Sequence, residues 1–209
     1  MRKIGILGLV GVLALVLAGC GGGDGPNTVF IQSPSDLSVD GDIGFTPPST
    51  FSFSQASITR DVQYGFDSGG TEFNAFLDFP LDGFTGGGVV PSNAVIVSAD
   101  IEVFVNDILL SSSVPTLLEL VPFSVTGLTS ADFDRAAVLT RSPFNININP
   151  DFGNFVRIDV TSLMVEAQNR GDFSLQLRFR PASLAPGLVV LDDRGVVAGR
   201  APLLTVEFR

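Results

Sequence analysis

The run Val95-Ile-Val-Ser-Ala-Asp-Ile-Glu-Val-Phe-Val105 puts an apolar side chain at every second position: Val95, Val97, Ala99, Ile101, Val103 and Val105. Ser98, Asp100 and Glu102 stand between them, and Asn106 follows. A period of two marks an extended strand with one dry and one wet face, and such strands belong to antiparallel sheets. The same pattern recurs on both sides. Phe51 and Phe53 alternate with serines, and Phe73, Ala75, Leu77 and Phe79 oppose Asn74 and Asp78. Val156, Ile158 and Val160 alternate with Arg157 and Asp159. Phe173, Leu175, Leu177 and Phe179 alternate with Ser174, Gln176 and Arg178, and Leu204, Val206 and Phe208 with Thr205 and Glu207.

Turn-forming residues separate these runs: Asp82-Gly83, Gly86-Gly87-Gly88, Asn169-Arg-Gly171 and Pro186-Gly187. Long helical periodicity is absent. A short helix is expected over Ser162–Gln168, with Thr161 as N-cap and Gly171 beyond its end. Thr129-Ser-Ala-Asp-Phe133 reads as a second helical turn. Many strands with few helices predict two packed sheets: an all-β fold, an antiparallel jelly-roll β-sandwich with one or two short helices, over residues 51–209. Eighteen phenylalanines supply a core without disulfides. Residues 20–50, rich in Gly, Ser, Pro and Asp, read as a flexible tether with room for a short strand at Thr28–Gln32.

The N-terminus begins with Arg2 and Lys3, followed by an apolar stretch from Ile4 to Ala18. That stretch is shorter than the roughly 20 residues a spanning helix needs and has the layout of an export signal. Leu17-Ala18-Gly19-Cys20 resembles the lipobox of bacterial lipoproteins. The resemblance implies that residues 1–19 are removed and that Cys20 carries diacylglycerol and an acylated amine. Cys20 is the only cysteine, so it has no disulfide partner or second thiolate ligand. Two or three acyl chains anchor firmly. Gly21, where enterobacteria place an inner-membrane retention aspartate, points to the outer membrane.

Removing the signal leaves ten basic residues against twenty-two acidic ones, a formal charge near −12. With no basic cluster, nucleic acid is excluded as a partner, and the lipid is expected to hold the protein at the membrane. There is no histidine, which removes Ser-His-Asp chemistry and the commonest zinc ligand. No catalytic residue and no cofactor are expected. The carboxylate pairs Asp192-Asp193, Asp132 with Asp134, and Asp40 with Asp42 read as turn residues, although they leave a structural calcium ion open. Candidate ligand-binding residues are Arg178, Arg180 and Gln176, on one strand face where two guanidiniums could grip a carboxylate, and Tyr64, the one tyrosine in a chain without tryptophan.

Three further stretches carry a family resemblance: Ala75-Phe-Leu-Asp-Phe-Pro-Leu81 followed by Ala94–Val103; Val156-Arg-Ile-Asp-Val-Thr161 before a short helix; and Leu188-Val-Val-Leu-Asp192 followed by Ala201-Pro-Leu-Leu-Thr-Val-Glu-Phe208. In this order they resemble the DNRLRE, or disaggregatase-related, extracellular jelly-roll modules. The chain has no tryptophan, which the family usually carries after the "DVT" segment. The resemblance implies the sandwich fold and, more weakly, a polysaccharide ligand. The resulting expectation is a non-catalytic, lipid-anchored envelope module that binds a glycan or an envelope protein. The alternatives are an assembly component and, least favoured, a carboxylate-based polysaccharide-cleaving enzyme.

Overall fold

The computed structural model describes residues 28–55, 61–194 and 199–209. The expected signal peptide (1–19), the lipidated Cys20 and the first part of the tether lie outside the described residues. The strands are β1 (Val29–Pro34), β2 (Gly41–Thr46), β3 (Thr50–Gln55), β4 (Val62–Phe66), β5 (Glu72–Pro80), β6 (Ile96–Leu109), β7 (Ser113–Leu120), β8 (Leu139–Thr140), β9 (Phe144–Asn147), β10 (Phe155–Asp159), β11 (Ser174–Pro181), β12 (Gly187–Asp192) and β13 (Leu203–Phe208). The helices are α1 (Ser130–Phe133), α2 (Ile148–Asp151) and α3 (Thr161–Arg170).

All strand pairings are antiparallel. One layer runs β1-β13-β6, with β10 on the other edge of β6. The other runs β4-β5 and β5-β11-β7, with β8 and β9 on the far edge of β7. β12 bonds to both β6 and β4 and joins the layers. The fold is therefore the expected antiparallel sandwich, with three short helices instead of one or two. The additional one, α2, is a single turn interrupted at Asn149. Between the layers lies one core, built from the predicted rows: Ala75, Leu77 and Phe79; Ala99, Ile101, Val103 and Val105; Leu175, Leu177 and Phe179; Leu204, Val206 and Phe208. Val95 and Val97 are exposed and Ile96 packs against the core in their place, because a register shift between Glu207 and Phe208 of β13, opposite Ser98 and Ile96, reverses the alternation at this end of β6.

Two boundaries need correction. The sandwich begins near residue 29, not 51, and residues 29–50 are not tether. β1 zips onto β13 along its whole length, and β2 pairs with both β3 and β5. Gly41, inside the stretch read as tether, serves close approach: a Cβ there would lie 2.2 Å from the Ser54 carbonyl oxygen. The N-cap of α3 is Val160, not Thr161. Asp159 starts this helix, its Oδ1 accepting the Thr161 N–H (2.9 Å) and hydroxyl (2.6 Å). These bonds hold the Asp159 carboxyl below its usual range. Gly171, in the left-handed region at φ 73°, ends α3 as predicted.

The outer face of β5 and β11 is also buried. The β2–β3 hairpin, the chain from Val121 and α1 form a second apolar cluster of Val39, Ile43, Phe76, Phe123, Leu128 and Phe133. Phe45 and Phe51 pack against this cluster. Asn74 and Asp78, expected on a wet face, lie beneath this cover.

Candidate binding cleft

That cover redefines the predicted ligand residues. Arg178 is on the outer face of β11, as its spacing required, yet only 2% exposed. Its Nε donates to Glu119 Oε2 at 2.8 Å, and its Nη1 to the carbonyls of Phe133 (2.8 Å) and Asp132 (3.1 Å). Arg178 is a clamp that pins α1 to the sheet, not a ligand contact. Arg180, at the far end of β11, lies 3.6 Å from Glu72 and lines a separate cavity of about 320 Å³. Tyr64 is fully buried against Phe179, its hydroxyl 3.0 Å from Thr116 Oγ1, and burial pushes its phenol well up. The structure thus removes Arg178 and Tyr64 from the solvent side and separates Arg180 from Gln176.

Gln176 does lead to a cleft. Its Nε2 donates to Asp78 Oδ1 (3.0 Å) and to the Phe123 carbonyl (3.2 Å), and its Oε1 accepts the Phe123 N–H (3.0 Å). With the two contacts to Phe123 it holds the Pro122–Val125 loop as a wall. A cavity of about 510 Å³ opens between this wall and the turn Gly171–Ser174. Two more, of about 290 and 150 Å³, adjoin it beside Asp36, Asp82, Phe84 and Val89. Phe173 lines all three.

Phe173 is 87% exposed and Phe84 75% exposed, on backbone that is fixed. Gly171 turns the chain out of α3, with its N–H on Gln168 O and the Asp172 N–H on Ala167 O. The Phe173 carbonyl then accepts the Leu81 N–H at 3.0 Å. The Phe84 N–H donates to Asp82 Oδ1 (2.9 Å) in a side-chain-closed turn, and the Thr85 hydroxyl ties the loop to Pro34 O (2.8 Å). Gly88 lets this loop lie on β1, since a Cβ there would meet the Ile31 side chain at 2.6 Å.

The rim is acidic. Asp36 and Asp82 face the same cleft as Asp78, which burial lifts to about 6, against the hydrogen bonds of Gln176 and Ser174. Asp172 is paired with Arg170 at 3.1 Å. Exposed ring faces with carboxylate acceptors around them suit a polyol, whose apolar ring face stacks while its hydroxyls donate. An anionic ligand would meet like charge.

The sequence missed Phe173 because it continued the alternating row of β11, and missed Phe84 because it lay in a glycine-rich loop. A phenylalanine inside Asp82-Gly-Phe-Thr-Gly-Gly-Gly88, where no strand face exists to bury it, was the available signal.

Within the aspartate pairs, Asp132, Asp192 and Asp193 have different partners. Asp132 accepts the Thr129 N–H (2.9 Å) and hydroxyl (2.7 Å) at the start of α1 and pairs with Arg135 (2.8 Å). Asp192 pairs with Arg194 at 2.9 Å. Burial would raise its carboxyl, but the hydrogen bonds and charge of Arg194, with Arg200, outweigh it and hold it below the usual range. Asp193 instead meets Asp40, from the β1–β2 turn, and burial raises both carboxyls. Among the described residues no three acidic, histidine or cysteine side chains stand together in metal-ligand geometry, and no helix is long and apolar enough to cross a membrane. No family model and no curated protein matches the chain, so the resemblance to disaggregatase-related modules rests on its motifs.

Proposed function

We propose that this protein is a lipid-tethered, non-catalytic module of the bacterial cell envelope that holds a glycan in the cleft around Phe173. The observation that carries the binding site is a single one: a phenylalanine 87% exposed on clamped backbone where three cavities meet. Large exposed apolar groups in such a setting mark interaction sites. The acidic rim selects a neutral or amino sugar polymer over a uronic acid polymer. Anchoring follows from Leu17-Ala-Gly-Cys20, outer-membrane residence from Gly21, and kinship with disaggregatase-related modules from the three ordered motifs.

Affinity electrophoresis or calorimetry against a panel of neutral, amino and acidic polysaccharides tests the site. Phe173→Ala is expected to weaken binding about tenfold or more, the loss of roughly one buried aromatic face, with an unchanged melting temperature. Equal binding by the variant removes the cleft from the proposal. Palmitate labelling in a bacterial host tests the anchor: wild type is expected to incorporate label and Cys20→Ser to incorporate none. A labelled Cys20→Ser protein would place the lipid elsewhere.

A further inference from the structure

Three strand ends meet where the chain enters the sandwich. Val29 of β1 stands opposite Phe208 of β13, and Phe208 opposite Ile96 of β6. Beside them Val95 and Arg209 exchange both backbone hydrogen bonds, at 2.9 and 3.1 Å. Ile31 and Ile96 pack against the core, so Phe30, Val95 and Val97 point outward. Phe30 is 65% exposed, and Val29, Val95 and Val97 are exposed as well. Only two strand spacings of about 4.8 Å separate β1 from β6, so these side chains form one apolar patch.

The outer face turns polar with distance from this end. Glu207 lies between Phe30 and Ser98 and accepts the Ser98 hydroxyl at 3.0 Å. The next row is Gln32, Thr205 and Asp100, and Asp100 pairs with Arg157 at 2.6 Å. An apolar rim under a polar wall suits a lipid interface, where apolar groups enter the acyl boundary and polar ones stay among the headgroups.

The length of chain before β1 says what faces this rim. Cys20 stands nine residues before Val29. Even fully extended, nine residues reach about 30 Å at most. That is shorter than the 14 residues of β6, which span roughly 46 Å. A lipid on Cys20 therefore holds this end of the sandwich, and not the other, beside the bilayer.

We infer that Val29, Phe30, Val95 and Val97 dock the domain on the membrane that holds the Cys20 lipid. The inference rests on that anchor. The lipid surface is zwitterionic: Arg209 and Glu207 offset each other at the patch and the mature chain is acidic, which leaves nothing to attract anionic headgroups. Docking stands β6 away from the membrane, with the turn at Phe152 at the far end. Phe152 precedes Gly153, whose N–H donates to the Val105 carbonyl at 2.9 Å, nine residues along β6 from Ile96.

The test uses the full-length protein in phosphatidylcholine vesicles, with palmitate labelling to check the anchor in each variant. The chain has no tryptophan, so Phe30→Trp, Val97→Trp and Phe152→Trp each add a single fluorophore at an exposed site. Lipid brominated near the headgroup end of its acyl chains is expected to quench most of the emission of Phe30→Trp and Val97→Trp and little of that of Phe152→Trp. Unquenched emission from positions 30 and 97 in labelled protein overturns the docking and leaves the anchor. Blue-shifted but unquenched emission there also overturns it and gives the patch to a second copy or another protein. Equal quenching of all three variants overturns the orientation. Quenching that needs added anionic lipid overturns the zwitterionic assignment. Protein that takes up no label removes the anchor and the docking together.

Discussion

Arg178 illustrates how far one side chain's role depends on what covers it. Its spacing along β11 puts it opposite Leu177 and Phe179, which is where it stands. Sequence treats that face as solvent, and a solvated arginine is a ligand candidate. The loop carrying α1 crosses the face, so the guanidinium is desolvated and divides its donors among Glu119 and two carbonyls. Removing one partner of a buried pair leaves an uncompensated charge. Arg178→Ala is expected to destabilise the fold by about 3–5 kcal/mol, read as a lower urea midpoint at unchanged slope. An unshifted midpoint would mean that the guanidinium is not clamped.

At the scale of elements, β10 shows a strand whose two faces were correctly divided. Its residues Phe155–Asp159 pair with Phe104–Asp100 of β6, and Ile158 is 2% exposed in the main core while Arg157 reaches Asp100 at 2.6 Å on the surface. Ile158→Asp is therefore expected to unfold the domain or lower its melting temperature steeply, since it buries an unpaired charge. Arg157→Ala is expected to change it little, because exposed pairs contribute about 0–1 kcal/mol. Circular dichroism melts of the two variants check both; equal effects would contradict the face assignment. β5 behaves otherwise. Its run Asn74–Pro80 is buried on both faces, and alternation alone cannot show that a polar row lies under a hairpin and a helix.

For the whole molecule, the absence of histidine leaves carboxyl groups to govern stability between pH 5 and 8. Burial raises Asp78 from 3.8 to about 6, against its bonds to Gln176 and Ser174 and with repulsion from Asp36 and Asp82. Asp40 and Asp193 move in the same direction. A carboxyl raised on folding favours the folded state in its protonated form. Its contribution is complete below about pH 4 and is lost as pH rises through the folded value, near 6 for Asp78. At constant ionic strength the melting temperature is expected to fall by several degrees from pH 5 to pH 8; a rise over that interval would contradict the burial of these groups. The sequence by itself determined the fold class, the inner faces of β5, β6, β10, β11 and β13, the Gly171 helix stop and the exclusion of histidine chemistry, because these depend on local periodicity and residue type. Only the tertiary structure decided that residues 29–50 belong to the sandwich, that Arg178 is buried, that Phe173 is exposed and that Asp40 meets Asp193 across the domain. The physical reason is that alternation fixes which way a side chain points, whereas its burial depends on a second element packing over that face from a distant part of the chain.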